Sequence, residues 1–175
     1  MRRIIVAALL ILAISSIPLF SVEESFTVTS DVALIGYMKV SALEILGNTV
    51  SAYNGSGEFT THNVTTSGDQ GLTAFMTTLC NSRTGYRVSM SATPMTSAVE
   101  GAMTGHNNYT VICNGVDVFT TLSSETVPPT ILTVPSLMHL TGRSDAITLT
   151  VDATTFDATV AGSYTGTVTF IFTAT

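Results

Sequence analysis

Hydrophobic and polar positions alternate with a period of two along most of this chain. The alternation is set out first in Val22-Glu23-Glu24-Ser25-Phe26-Thr27-Val28-Thr29-Ser30-Asp31-Val32. Such a run predicts a strand with one apolar face. Extended structure continues from Val32 to Val40, with an interruption at Gly36, and Ser41 to Leu46 suits a strand or a single helical turn equally. Asn54-Gly55-Ser56-Gly57 marks a turn, and Thr60 to Gly71 is polar enough for a loop or a weak edge strand.

From Leu72 the pattern sharpens. Leu72, Ala74, Met76 and Thr78 alternate with Thr73, Phe75, Thr77 and Leu79, which predicts a strand buried on both sides. After the turn Asn81-Ser82-Arg83-Thr84-Gly85, an apolar face of Tyr86, Val88, Met90 and Ala92 opposes Arg87, Ser89 and Ser91, and the two strands read as the clearest hairpin in the chain. Thr93-Pro94-Met95 suits either an irregular loop or a short helix. In the helix, Thr93 is the N-cap, Pro94 the first helical residue, and Met95, Val99, Ala102 and Met103 share one side.

Tyr109, Val111 and Cys113 lead into Asn114-Gly115, and Val116 to Leu122 resumes extended structure, a second hairpin. Pro128, Pro129 and Pro135 restrict their region to an edge strand or loop. Ile147, Leu149 and Val151 share a face, Asp152 to Gly162 crosses over, and Val168, Phe170 and Phe172 share the face of the last strand. About seven short strands with little helix predict an all-β fold, an antiparallel β-sandwich of immunoglobulin-like type.

The first residues have a different grammar. Arg2 and Arg3, the apolar run Ile4 to Ile14, Pro18 and the small Ser21 predict a signal peptide over 1–21, cleaved after Ser21, with Ser15 and Ser16 as weaker sites. The apolar run falls short of the roughly 20 residues of a bilayer span, so no membrane span is expected in the mature chain. About 154 residues remain, enough for one domain with a continuous core. Loss of Arg2 and Arg3 leaves four basic against twelve acidic residues, a net charge of −8. That balance argues against nucleic acid and anionic membranes as partners.

Candidate chemistry is sparse. Cys80 and Cys113 are the only cysteines, and export favours a disulfide between them over two buried thiols. On a loop-entropy model such a bridge contributes roughly 3.5 to 4 kcal/mol. His62, His106 and His139 each stand without a metal-ligating or nucleophilic companion, so no metal or cofactor is expected. Asp152 and Asp157 form the only close carboxylate pair in the expected crossover, which suits solvated loop residues better than acid–base catalysis. With phosphate-binding, G-x-S-x-G and zincin motifs also missing, the sequence does not read as an enzyme. Few aromatics and many turn prolines and glycines argue against an outer-membrane barrel.

Both ends of the mature chain resemble one family. Val22 to Val32, acidic and then apolar-Thr-Val-Thr-small-polar-Val, is similar to the mature amino terminus of the major subunits of colonisation-factor fimbriae, the alpha class of chaperone/usher pilins. Ala161-Gly162-Ser163-Tyr164-Thr165-Gly166-Thr167-Val168-Thr169-Phe170 is similar to their closing motif, and the Leu72 to Ala92 pair followed by Thr93-Pro94 matches in shape and position. The chain departs from the family at Ala33, where a proline is common, and in its cysteine pair.

The resemblance implies an incomplete immunoglobulin-like sandwich over 33–175 that lacks its last strand. A periplasmic chaperone and an outer-membrane usher would serve it during assembly, and copies of the chain would join head to tail in a cell-surface fimbria. It also implies that Phe26, Val28, Ser30 and Val32 of the donor segment 22–32 enter a neighbour's groove floored by Val168, Phe170 and Phe172. Burial of Phe26, Val28 and Val32 would contribute about 5 to 9 kcal/mol at roughly 1.5 to 3 kcal/mol each. The alternative is a secreted or surface-attached monomeric sandwich that binds a protein or carbohydrate partner through its loops.

Overall fold

The computed structural model describes residues 27–98, 104–122 and 127–175. The expected leader, its cleavage site and Phe26 lie outside the described residues, as do Val99, Ala102 and Met103 of the possible helix. Thr27 to Val32 are exposed and belong to no strand. The chain divides between Val32 and Ala33, and all the elements that follow lie in the second unit.

That unit is all-β, with every strand pair antiparallel. The larger sheet has the order β1 (Gly36–Ser41), β3 (Ala74–Cys80), β10 (Thr141–Val151), β7 (Tyr109–Cys113) and β8 (Val116–Phe119), with β2 (Gly68–Asp69) on the end of β10. The smaller sheet has the order β11 (Val168–Ala174), β4 (Tyr86–Ala92) and β9 (Thr130–Val134). A separate hairpin joins β5 (Met95–Ala98) to β6 (Thr104–Asn107). Two helices of six residues each, α1 (Val50–Gly55) and α2 (Ala153–Ala158), complete the described elements.

The two sheets share one core. Met76, Val111, Ile147 and Val151 of the larger sheet and Tyr86, Val88, Met90 and Leu132 of the smaller are buried in a single cluster. The Tyr86 hydroxyl reaches the larger sheet and hydrogen-bonds Thr78 Oγ1 at 2.9 Å, which satisfies both polar atoms inside the core. The outer face of the larger sheet is also covered, by the excursion that follows β1. There Ile45 is buried and its amide donates to Ser144 Oγ at 2.8 Å, while Thr77 Oγ1 bonds Ser41 Oγ at 2.6 Å and Ser144 Oγ at 3.0 Å. This double cover is why β3 alternates between two buried faces. Ser41 to Leu46 is accordingly neither strand nor helix beyond Ser41, the last residue of β1.

The expected hairpin of β3 and β4 is corrected. β3 pairs with β1 and β10, whereas β4 pairs with β11 and β9 in the other sheet. The intervening turn carries the chain across the sandwich, so the apolar faces meet through the core instead of lying side by side. Gly85 makes the crossing possible at a φ of 83°, and an added Cβ would collide with the Val134 carbonyl.

A second correction concerns Met95, which opens a strand and neither a helix nor an irregular loop. Thr93 N and Thr96 N donate to Thr167 O and Thr165 O at 2.9 and 3.0 Å. Those long-range bonds extend the β4–β11 ladder and outweigh the local helix-start signal of Thr93-Pro94.

Other expectations agree with the fold. β7 and β8 form a hairpin whose turn residues Asn114 and Gly115 have φ of 51° and 74°, the left-handed pair that a type I′ turn requires. β9 is an edge strand between Pro129 and Pro135, as proline demands. The crossover after β10 contains α2, whose first turn is capped by Asp152 accepting from Thr154 N at 2.9 Å.

Candidate functional site

The two sheets come apart along one flank. At one end of that flank β1 touches β11, since a Cβ on Gly36 would lie 3.2 Å from the Phe172 ring. Toward the other end they diverge, and a groove of about 490 Å³ opens between them. Its floor is the inner face of the larger sheet at Ala74, Val111, Ile147 and Leu149. One wall is the segment 59–64 together with Val40 of β1, and the other is Tyr164 to Val168 with Phe170.

Local hydrogen bonds set both walls. Ala42 N donates to Gly57 O at 2.8 Å and Phe59 N donates to Val40 O at 3.0 Å, so the returning chain is tied to the end of β1 before it runs along the groove. Phe59 and Val64 pack against the core, and the Phe59 ring stacks on His62 with centroids 6.5 Å apart. On the opposite wall, Tyr164 donates its hydroxyl to Val160 O at 2.8 Å and lays its ring on Gly105 of β6. β11 is bonded to β4 along one edge, and among the described residues its other edge, toward the groove, is unpaired.

Of the expected acceptor residues, Val168 and Phe170 line this groove. Phe172 does not. It stacks on Tyr86 with ring centroids 5.0 Å apart, beyond the closed end. Val28, Ser30 and Val32 are exposed, with Val28 at 80% and Val32 at 76% of full accessibility. The wall residues Val40, Phe59, His62, Val64 and Tyr164 carried no sequence signal for a site, because they meet only after three separate segments converge.

The cysteine expectation is corrected. Cys80 and Cys113 are free, buried thiols. They lie on β3 and β7 with β10 between them, opposite Thr141 and Ile147 respectively. Six residues of offset along β10 correspond to about 20 Å, far beyond the roughly 7 Å that a disulfide can bridge. Burial, and secondarily Asp145, pushes the Cys113 thiol up to about 12, so it is a poor nucleophile.

Several other polar side chains have structural partners. Arg143 grips both carboxylate oxygens of Asp145 at 2.6 Å and donates to Asn114 Oδ1 at 3.0 Å. The Asp145 hydrogen bond raises the Arg143 pKa further above its ordinary value. His106 sits in the β5–β6 ladder opposite Thr96, and His139 is exposed. Asp152 is the α2 cap and Asp157 an exposed residue of the same helix. Among the described residues, no three His, Cys, Asp or Glu gather as a metal site, and no helix is long and apolar enough to cross a membrane.

Comparison with protein-family models, with curated proteins and with solved structures returned no match.

Proposed function

We propose that this chain is a structural subunit of a surface fimbria, an incomplete immunoglobulin-like sandwich completed by the strand Val22 to Val32 of another copy. The observation that carries the reading is the groove with an apolar floor beside the unpaired edge of β11, with Val168 and Phe170 in its wall. An edge of this kind offers unsatisfied amides and carbonyls next to apolar surface, the two things an added strand binds. The segment Val22 to Val32 supplies the complementary pattern, and Val28 and Val32 have most of their surface still to bury. Each contributes roughly 1.5 to 3 kcal/mol on transfer into the groove, and each new main-chain hydrogen bond about 1 kcal/mol.

Because donor segment and groove are different surfaces, the contact is head to tail and produces a filament. Export through a periplasm, with a chaperone covering the groove and an outer-membrane usher assembling the copies, belongs to the same proposal. Two altered chains test it. One lacks Val22 to Val32, and the other carries that segment behind Thr175 on a Gly/Ser linker. The first should be markedly less stable and form no fibre, and the second should be more stable than the unaltered monomer and fail to polymerise. Unheated electrophoresis should show a ladder for the unaltered chain only. Unchanged stability in both variants, with no ladder, would replace the fimbrial reading by the monomeric loop-binding one.

A further inference from the structure

The two most exposed large apolar side chains among the described residues, Met138 at 99% and Leu46 at 91% of full accessibility, lie at the same end of the sandwich. Gly36 and Thr141 both stand opposite Cys80, the last residue of β3, so β1 and β10 begin at one level. Met138 is three residues short of Thr141, and the exposed Leu34 is two residues short of Gly36. Leu46 is held at that end by the residues after it. A Cβ on Gly142 would lie 2.6 Å from the Gly47 carbonyl oxygen, and Gly142 N donates to Asn48 Oδ1 at 2.9 Å. This is the closed end of the groove flank, where Gly36 meets Phe172. Large apolar side chains left bare at one place on a surface mark a contact.

The donor segment joins the domain at the same end, and it does so without slack. Asn81 extends the β1–β3 ladder past Gly36. Its backbone N donates to Ile35 O at 3.1 Å, its Oδ1 accepts from Ile35 N at 2.7 Å, and its Nδ2 donates to Ala33 O at 2.9 Å. Ala33 is therefore tied down, and Val32, the last residue of the donor segment, directly precedes it. Every described strand pair is antiparallel, and a strand added antiparallel to β11 places its Val32 at the open end, where β11 begins at Val168. Consecutive Cα atoms are about 3.8 Å apart, so a single peptide unit spans from the groove mouth of one copy to the closed end of the copy that donates the strand. We infer that these two ends abut, with Leu34, Leu46 and Met138 of the donating copy packed on the groove mouth of the accepting one. There the exposed Val160 offers apolar surface and its carbonyl holds the Tyr164 hydroxyl of the groove wall. The inference rests on the fimbrial reading and deepens it, because it makes the fibre a stiff stack of touching domains in place of domains joined by flexible linkers.

Two alterations test the contact: the double substitution Leu46→Ser with Met138→Ser, and an insertion of about six Gly/Ser residues between Val32 and Ala33, which adds roughly 20 Å when extended. The double substitution should speed fibre dissociation in a fixed concentration of denaturant roughly tenfold. It should leave the unfolding midpoint of the unpolymerised chain unchanged, because both side chains are bare in that chain. A structural role within the domain would lower the midpoint instead. The insertion should keep the electrophoretic ladder and make the fibre bend more sharply in electron micrographs. In the lengthened chain the serine substitutions should no longer change the dissociation rate. Dissociation of the double variant at the unaltered rate, a lowered midpoint, or an equal effect of the substitutions at both chain lengths overturns the end contact and leaves the fimbrial reading standing. Absence of a ladder from the unaltered chain overturns both.

Discussion

On the flank where the β7–β8 turn meets β9, Asn114 Nδ2 donates to Ile131 O at 2.6 Å and ties one sheet to the other, with Val118 and Leu132 buried beside it. On the opposite flank, where β1 faces β11, no hydrogen bond joins the sheets among the described residues, and a groove takes the place of the core. Both flanks are made of the same kinds of residue. They differ in whether an inner face has something to cover it. β11 has half-buried Val168 and Phe170 where the closed flank has buried Leu132, so burial unfinished within one chain separates the two sides. Apolar surface left uncovered beside an unpaired strand edge is costly to a monomer and useful to an assembly.

Paired substitutions across the two flanks give the largest expected contrast. Leu132→Ala should cost the monomer about 2 to 5 kcal/mol, because it leaves a cavity in closed packing. Phe170→Ala should cost the monomer less, about 1 to 2 kcal/mol, and should show its main effect as faster fibre dissociation. Equilibrium unfolding in urea measures the first quantity and a heated electrophoretic ladder the second. Equal monomer costs would mean that the groove flank is as well packed as the other.

A smaller effect is expected at the tie itself. Asn114→Ala removes the bond to Ile131, the acceptor for Arg143 and a residue tolerant of its φ of 51°. It should destabilise the monomer by about 1 to 2 kcal/mol and leave fibre dissociation unchanged. An effect on dissociation would show that the two flanks are coupled.

The mildest expectation is confined to alkali. Burial pushes Cys113 and Tyr109 up to about 12, from ordinary values of 9.0 and 10.0. Below pH 9.0 neither group ionises in either state and their contribution to stability is complete. Above it the unfolded chain releases protons that the folded chain holds, so stability should fall as pH rises from 9.0 toward 12. The urea midpoint measured across that range checks the sign, and Cys113→Ala should delay the onset of the decline toward the tyrosine range. Native thiols should resist alkylation, and reduction should leave the mass of the chain unchanged, as two buried free cysteines require.

Much of the fold was legible because alternation records which face of a strand turns inward. Tyr86, Val88 and Met90 face the core, as do Ile147 and Val151 and the residues on either side of Asn114-Gly115. The type I′ turn was readable for a local reason, since few residue pairs accept two positive φ values. Two residues of the groove wall, Val168 and Phe170, were readable as the inward face of the last strand. His62 was visible only as an isolated histidine, because the groove it lines is assembled from distant segments.

By itself, then, the sequence determined an antiparallel all-β chain, the inward faces of its strands and the tight turn at Asn114-Gly115. Tertiary structure alone decided that β3 and β4 part company into different sheets, that Met95 begins a strand, that Cys80 and Cys113 stay apart, and that the open flank lies between β1 and β11. The division has one cause. Periodicity and turn chemistry are properties of a few consecutive residues, whereas the partner of an apolar face or of a strand edge is set by competition among all the faces and edges of the chain.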